Sequence, residues 1–286
     1  MGSHERDANG FPTPVTEAGR EGVRALLAAP GSAVIGLDFD GTLAPIVPDP
    51  ERARAHPGAL AALVALAPKV ASIAVITGRP AEVAVRYGGF AGVPGLEHLV
   101  VLGAYGAERW DAATGELTAP EPPAGVAAVR AELPGLVGAG GDGGAGGVWI
   151  EDKGRALAVH TRRAPDPQGA LDGLRVPLRD LADRHGLVIE PGRYVLELRP
   201  PGMDKGMALT THVRETGAGS VLYAGDDLGD LPAYAAVGAL RGEGVPGVLV
   251  CSGSDEVPAL RTQADVVVPG PEGVIHLLTT LATTLR

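Results

Sequence analysis

Several kinds of residue or segment are scarce or missing, and each absence narrows the fold or the function. Aromatic residues make up only 3% of the 286-residue chain, so its core has to be filled by Val, Leu, Ile and Ala. There is one cysteine, Cys251. A lone thiol excludes an internal disulfide framework and fits a reducing compartment. Because it ends the apolar run "GVLVC", Cys251 reads as a buried strand residue rather than a nucleophile. No block of lysine or arginine stands out and the net charge is −10, which argues against nucleic acid as a partner. An anionic substrate remains possible, since a few local cations or a metal can hold one. No apolar run approaches the length that spans a bilayer, and the opening "MGSHERDANGFPTP" lacks the basic end and apolar stretch of a signal peptide. The expected setting is cytoplasmic, away from membranes.

What is present is punctuation. The 43 glycines fall largely between apolar runs, as expected of many short elements joined by tight loops. Residues 1–14 are polar and broken by proline, and read as a disordered tail. From residue 15 to 106, helices alternate with short continuous apolar strands: a helix over 16–29, then "AVIGLDFD", "HPGALAALVALA", "KVASIAVITG", "RPAEVAVRYG" and "EHLVVLGAYG". That alternation predicts a doubly wound α/β core on a mostly parallel sheet covered on both faces. The pattern changes over 107–198. There the chain reads as a hairpin, a helix over 122–137, a glycine-rich mobile loop at 138–147, two antiparallel strands turning at Lys153-Gly154, a helix over 167–185 and a last strand pair. This is an inserted α+β cap. The first pattern returns over 199–286.

The chemistry gathers at strand ends. In open α/β sheets, ligands lie beyond the carboxyl ends of the strands, and "LDFDGT", "ITGR" and "YAGDD" bring polar groups there. Side chains two apart along a strand point the same way, so Asp38 and Asp40 face one site while Phe39 turns back into the fold. Gly41 lets backbone approach a ligand, and the amides after it can cradle an anion. Adjacent carboxylates raise each other's pKa unless a cation separates them. A hard divalent ion does so, with Asp226 and Asp227 as further oxygen donors. Lys205, at a helix start, adds positive charge, and such a site points to phosphoryl chemistry. Taken alone, Thr77 reads as a helix N-cap.

The series "DFDGT", "TGR", "DKG" and "GDDLGD" resembles the haloacid dehalogenase superfamily of phosphatases. The longer stretches "LDFDGTLAPIVPDPERA", "VITGRP", "IEDKGRALAVHTR", "LELRPPGMDKGMAL" and "AGDDLGD" are similar, in order and spacing, to its trehalose-6-phosphate phosphatases. The resemblance runs from about residue 30 to near the end of the chain. It implies that Asp38 is the nucleophile, that Asp40 is the general acid and base, and that Thr77 and Lys205 hold phosphoryl oxygens. It implies Mg2+ bound by the Asp38 carboxylate, the Asp40 carbonyl and Asp226, with Asp227 and Asp230 supporting through water or neighbouring groups. Gly41, Thr42, Gly78 and Arg79 would line the phosphate side of the substrate.

By the same resemblance, the cap closes over the core as a lid and reads the sugar through Glu151, Lys153 and Glu197. Arg162 is a further candidate for sugar or phosphate, with a solvated strand arginine as the alternative, and His160 reads as a structural histidine. Two departures from the family stand out. This chain has Gly229, Asp230, Leu231 and Tyr234 where the family often continues Thr-Asp-Glu and ends in Phe, and Tyr105 where it often has a histidine between glycines. The substrate implied is trehalose 6-phosphate, with a functional link to the synthase that makes it. Phosphates of sucrose, glucosylglycerol or a phosphoglycerate-sugar, or a non-catalytic sugar-phosphate binder, stay open as alternatives.

Overall fold

A computed structural model describes residues 10–138, 146–192, 194–253 and 258–285. The chain runs α1 (Glu17–Ala28), β1 (Ala33–Leu37), α2 (Ala59–Leu66), β2 (Ser72–Ile76), α3 (Ala81–Gly88), β3 (Leu99–Gly103), β4 (Glu108–Asp111) and β5 (Leu117–Thr118). Then come α4 (Ala124–Val137), β6 (Trp149–Asp152), β7 (Leu157–His160), α5 (Pro167–Arg184), β8 (Val188–Gly192) and β9 (Val195–Arg199). It ends with α6 (Lys205–Thr216), β10 (Ser220–Gly225), α7 (Leu231–Gly242), β11 (Gly247–Gly253), α8 (Pro258–Gln263), β12 (Val266–Pro269) and α9 (Gly270–Thr284).

Two compact units result, one of residues 1–119 with 204–286 and the other of residues 120–203. Among the described residues, the first carries an eight-stranded sheet in the order β12-β11-β10-β1-β2-β3-β4-β5. Its pairs from β12 to β3 are parallel. All five residues of β1, β2 and β3 are buried, which explains why these strands read as unbroken apolar runs: helices cover both faces. The sequence reading placed residues 107–119 in the insert. They instead extend the large sheet, because β4 pairs antiparallel with β3 and sets Trp110, buried in the core, beside Val101. The insert therefore begins at Pro120 and ends at Met203, rather than spanning 107–198.

The expected tail at 1–14 also needs correcting in part. Residues 1–9 lie outside the described residues, but Phe11 is buried in the core, and Val15 donates its amide to the Asp265 carbonyl at 2.8 Å. Most of the glycine-rich loop expected at 138–147 likewise falls outside the described residues. Asp265 explains how α1 is anchored. It is fully buried, accepts from the Leu249 amide at 2.7 Å, and is also bonded to the Thr16 hydroxyl and Arg241. A Cβ on Gly19 would lie 2.5 Å from the Asp265 side chain, so the first turn of α1 needs glycine to approach it.

The second unit holds a four-stranded antiparallel sheet, β6-β7-β9-β8. One face of it, with Leu157, Val159, Leu196 and Leu198, packs into an apolar cluster with side chains of α4 and α5. No described helix of the chain is long and apolar enough to cross a membrane.

His212 of α6 is buried and touches the Ser72 hydroxyl at 2.9 Å through Nε2. Ser72 donates onward to the His98 carbonyl, so Nε2 carries the proton and Nδ1 faces Arg109 as an acceptor. Burial, then the Arg109 charge, pushes the His212 pKa down to about 4. Unfolded, this histidine protonates near pH 6.5. Its contribution is therefore complete above that pH and is lost as pH falls toward about 4, by about 3 kcal/mol in all. Urea unfolding of wild type and His212→Gln between pH 4 and 7.5 should show the variant's pH slope flattened in that window. Parallel curves would refute the assignment.

Candidate active site

The strand ends at the carboxyl edge of the large sheet carry the polar residues singled out in the sequence. At the end of β1 the ladder persists one residue further, with the Asp38 amide donating to the Ala224 carbonyl of β10 at 2.9 Å. Asp38 is thereby fixed, Phe39 turns into the core, and Asp40 is partly exposed. The chain then doubles back. Leu43 and Ala44 donate to the Phe39 carbonyl and Gly41 to the Ala44 carbonyl. Gly41 has φ +77°, and a Cβ there would lie 2.0 Å from Asp226 Oδ2; only glycine lets the two loops meet. The Gly41 amide is used inside the loop, so Gly41 serves by making room. Among the described residues, neither the Asp40 nor the Thr42 amide donates to a backbone carbonyl, and the fully buried Thr42 hydroxyl has no partner.

The motif "DKG" has three jobs. The Asp204 side chain caps α6 by accepting from the Met207 amide at 2.8 Å. Lys205 enters the site, and Gly206 lets α6 meet α7, since a Cβ there would lie 2.3 Å from the Pro232 carbonyl. Lys205 Nζ donates to Asp38 Oδ1 at 2.6 Å and to Asp230 Oδ1 at 2.7 Å. Asp230 also accepts from the Tyr223 hydroxyl at 2.6 Å and from the amides of Asp226 and Asp227 at 2.9 and 3.1 Å. Both of its oxygens are thus occupied in shaping the loop. Gly225 is required beside it, as a Cβ would lie 2.3 Å from the Asp230 carboxyl. Asp227 is exposed and forms a capping box with Asp230 at the turn Leu228–Asp230.

Charge is out of balance here. Oxygens of Asp38, Asp226 and Asp230 lie within 4.8 Å of one another, all three side chains buried. Burial drives the Asp38 pKa well above the usual carboxylate range, with Lys205 pulling the other way. Burial and then the Asp38 charge push Asp226 up to about 10. For Lys205, burial opposes the ammonium, but Asp230 and Asp38 outweigh it and hold the pKa well above its ordinary value. Three buried carboxylates against one ammonium leave a deficit that a hard divalent cation with oxygen ligands fits. Asp38 and Asp226 are the donors not saturated by protein hydrogen bonds; Asp230 stands behind them.

Opposite lies the end of β2. Thr77 does not cap a helix: α3 starts after Pro80, and its first amide, of Ala81, is satisfied at 2.7 Å by the carboxylate of Glu108. The Thr77 hydroxyl instead accepts from the Arg79 amide at 3.1 Å. Arg79 forks onto both oxygens of Asp40 at 2.6 and 2.7 Å. The Tyr105 ring packs on Gly78, where a Cβ would lie 2.8 Å from it. Ala104 and Tyr105 sit at φ 46° and 59°, left-handed strain of the kind that gathers at functional sites. Ser252, at the end of β11, donates to the Gly41 carbonyl at 2.6 Å. Ser252 and Glu108 were missed in the sequence, since each acts from an element with no motif of its own, and Tyr223, although inside "YAGDD", was not singled out.

Within the insert, Lys153 Nζ pairs with Glu197 Oε2 at 2.5 Å. The Glu197 side chain is 6% exposed, and its Oε1 is buried without a partner among the described residues. Glu151 meets His160 Nε2 at 2.8 Å. Arg162 is exposed after β7 and joins neither pair.

The family model "Trehalose-phosphatase" matches residues 36–117 and 144–268. A trehalose-phosphate phosphatase of Mycobacterium avium is 36% identical over 224 residues, 73% of this chain and 52% of the relative. One from Mycobacterium tuberculosis is 36% identical over 220 residues, 71% and 50% of the two chains. The chain thus spans about half the length of the curated relatives it matches. Its fold is like that of the Candida albicans trehalose-6-phosphate phosphatase C-terminal domain, with TM-score 0.73, 21% identity, and 96% and 99% of the two chains covered.

Gly41→Ala should move the Asp226 carboxylate out of line and lower Mg2+ affinity at least about tenfold, while the left-handed backbone costs about 1 kcal/mol of stability. Calorimetric titration with Mg2+ and a thermal melt measure both. Unchanged Mg2+ affinity would mean that Asp226 is not a ligand.

Proposed function

The chain belongs to the trehalose-phosphatase family, and we propose that it is a phosphoric monoester hydrolase that converts trehalose 6-phosphate to trehalose and phosphate through an aspartyl phosphate. The observation that carries this reading is the buried cluster of Lys205 with Asp38 and Asp230, beside Asp226. A lysine neutralising a carboxylate at the end of a parallel strand leaves that carboxylate placed for in-line attack on phosphorus.

In the proposed reaction Asp38 forms the new bond to phosphorus, and the bond from phosphorus to the sugar oxygen breaks. Asp40 gives the departing oxygen a proton, and later takes one from the water that hydrolyses the phosphoenzyme. For this, the Arg79 fork on Asp40 has to release an oxygen. Thr77, Lys205, the Thr42 amide and hydroxyl, Gly78 and Arg79 are the groups for the phosphoryl oxygens, with Gly41 giving them access. Mg2+ would be held by Asp38, the Asp40 carbonyl and Asp226, with Asp227 and Asp230 supporting, and would supply charge neutralisation for the phosphoryl group. Glu151, Lys153 and Glu197 would read sugar hydroxyls, since ionised partners bind these more strongly than neutral ones do. Arg162 is an outlying candidate. The names of the mycobacterial relatives support the substrate. The reaction implies a source of trehalose 6-phosphate, hence a link to its synthase, and the buried lone thiol of Cys251 is in keeping with a cytoplasmic setting.

Phosphate release should be measured from trehalose 6-phosphate, sucrose 6-phosphate, glucose 6-phosphate and an aryl phosphate, with Mg2+ and with chelator. Trehalose 6-phosphate should be preferred, chelator and Asp38→Asn should abolish turnover, and Lys205→Met should cost at least roughly a hundredfold. Preference for another sugar would keep the chemistry and reject the substrate. No turnover of any compound would leave a sugar-phosphate binder.

A further inference from the structure

The second unit has a sheet face that its helices do not cover. On it, strand register sets Glu151, Ala158, Glu197 and Glu190 in one row across β6, β7, β9 and β8. The neighbouring row begins with Trp149 opposite His160. Ala158, the small member of the row, is fully buried between the Glu151 and Glu197 columns. Those columns are two strand spacings apart, about 10 Å. Glu197 presents there a buried carboxylate oxygen with no partner among the described residues, which points to a ligand that donates hydroxyl protons.

The Glu151 carboxylate is aimed by a relay. Glu151 is bonded to His160 Nε2. The His160 ring lies flat on Trp149, with centroids 4.6 Å apart and planes within 7°. The Arg163 guanidinium stands 4.5 Å from the Trp149 ring. Trp149 thus fixes the plane of the imidazole, and the imidazole fixes the carboxylate. Trp149 carried no motif in the sequence.

We infer that Trp149 and His160 are positioning residues that hold Glu151 in one row with Glu197, making this face specific for an uncharged, hydroxyl-rich glycosyl unit. The inference rests on the sugar-phosphate reading above.

The test uses the full chain as wild type, Trp149→Ala and Trp149→Phe, with thermal melts to establish that each variant folds. Trp149→Ala should raise the KM for trehalose 6-phosphate about tenfold with kcat within about twofold, leave aryl phosphate turnover within about twofold, and be largely rescued by Trp149→Phe. Nitrogen-15 NMR of the imidazole should show His160 locked with its proton on Nε2 in wild type and averaging both tautomers in Trp149→Ala. An unchanged KM in a folded Trp149→Ala, or an equal loss on aryl phosphate, overturns the inference. If wild type hydrolyses aryl phosphate but no sugar phosphate, the substrate reading fails by itself. The NMR signature then decides the relay: loss of the single tautomer in Trp149→Ala supports it, and its persistence overturns it.

Discussion

Lys205 sits with its ammonium between the carboxylates of Asp38 and Asp230, sealed from water, and the arrangement of the site follows from that contact. A buried charge is tolerated only when paired and hydrogen-bonded, so each partner has to be held where it is. Asp38 is held by the parallel ladder to β10, Asp230 by two amides and the Tyr223 hydroxyl, and Lys205 by the capped start of α6. Three elements distant in sequence are thus made to end at one point. Removing Lys205 would leave buried carboxylates without their cation, a loss on the order of 3–5 kcal/mol. Selection on folding and on chemistry therefore acts on the same atoms.

The glycines of the motifs are the spatial counterpart of that electrostatic constraint. Gly41 admits Asp226, Gly225 admits Asp230, and Gly206 admits the backbone of α7. Each stands where a methyl group would collide with a residue the cluster needs. The motif spacing in the sequence is a record of these approaches as much as of the reacting groups themselves.

Much of this was legible because it is local. Continuous apolar strands announced a covered parallel sheet, and Asp38, Asp40, Lys205 and Asp226 sat at the strand ends and helix starts where such a sheet gathers its chemistry. Other features were not legible, because they depend on pairing across long separations. Residues 107–119 have the same hairpin pattern whether they join the large sheet or the insert; Trp110, burying itself beside Val101, settles which. Glu108 belongs to no motif, yet its carboxylate caps α3, a role that sequence reading gave to Thr77. Ser252 reaches Gly41 from two strands away, and no spacing rule connects them. The short helix α8 lacked a periodic signal. His160 was read as structural, and its bond to Glu151 gives that role a target.

The pairing of Leu37 with Ala224 also sets an order of events in time. The strand that carries Asp38 is made early, but its neighbour β10 follows only after the whole of residues 120–203. Local contacts form first and distant ones pay a loop-closure cost. The four-stranded sheet of the second unit is local by comparison and can close while the first unit still waits for its central pair. On a growing chain the strand that carries Asp38 therefore spends its early life without its partner, with an apolar edge open to mispairing. The cluster of Asp38, Lys205 and Asp230 is thus completed late, with the closure of a single ladder.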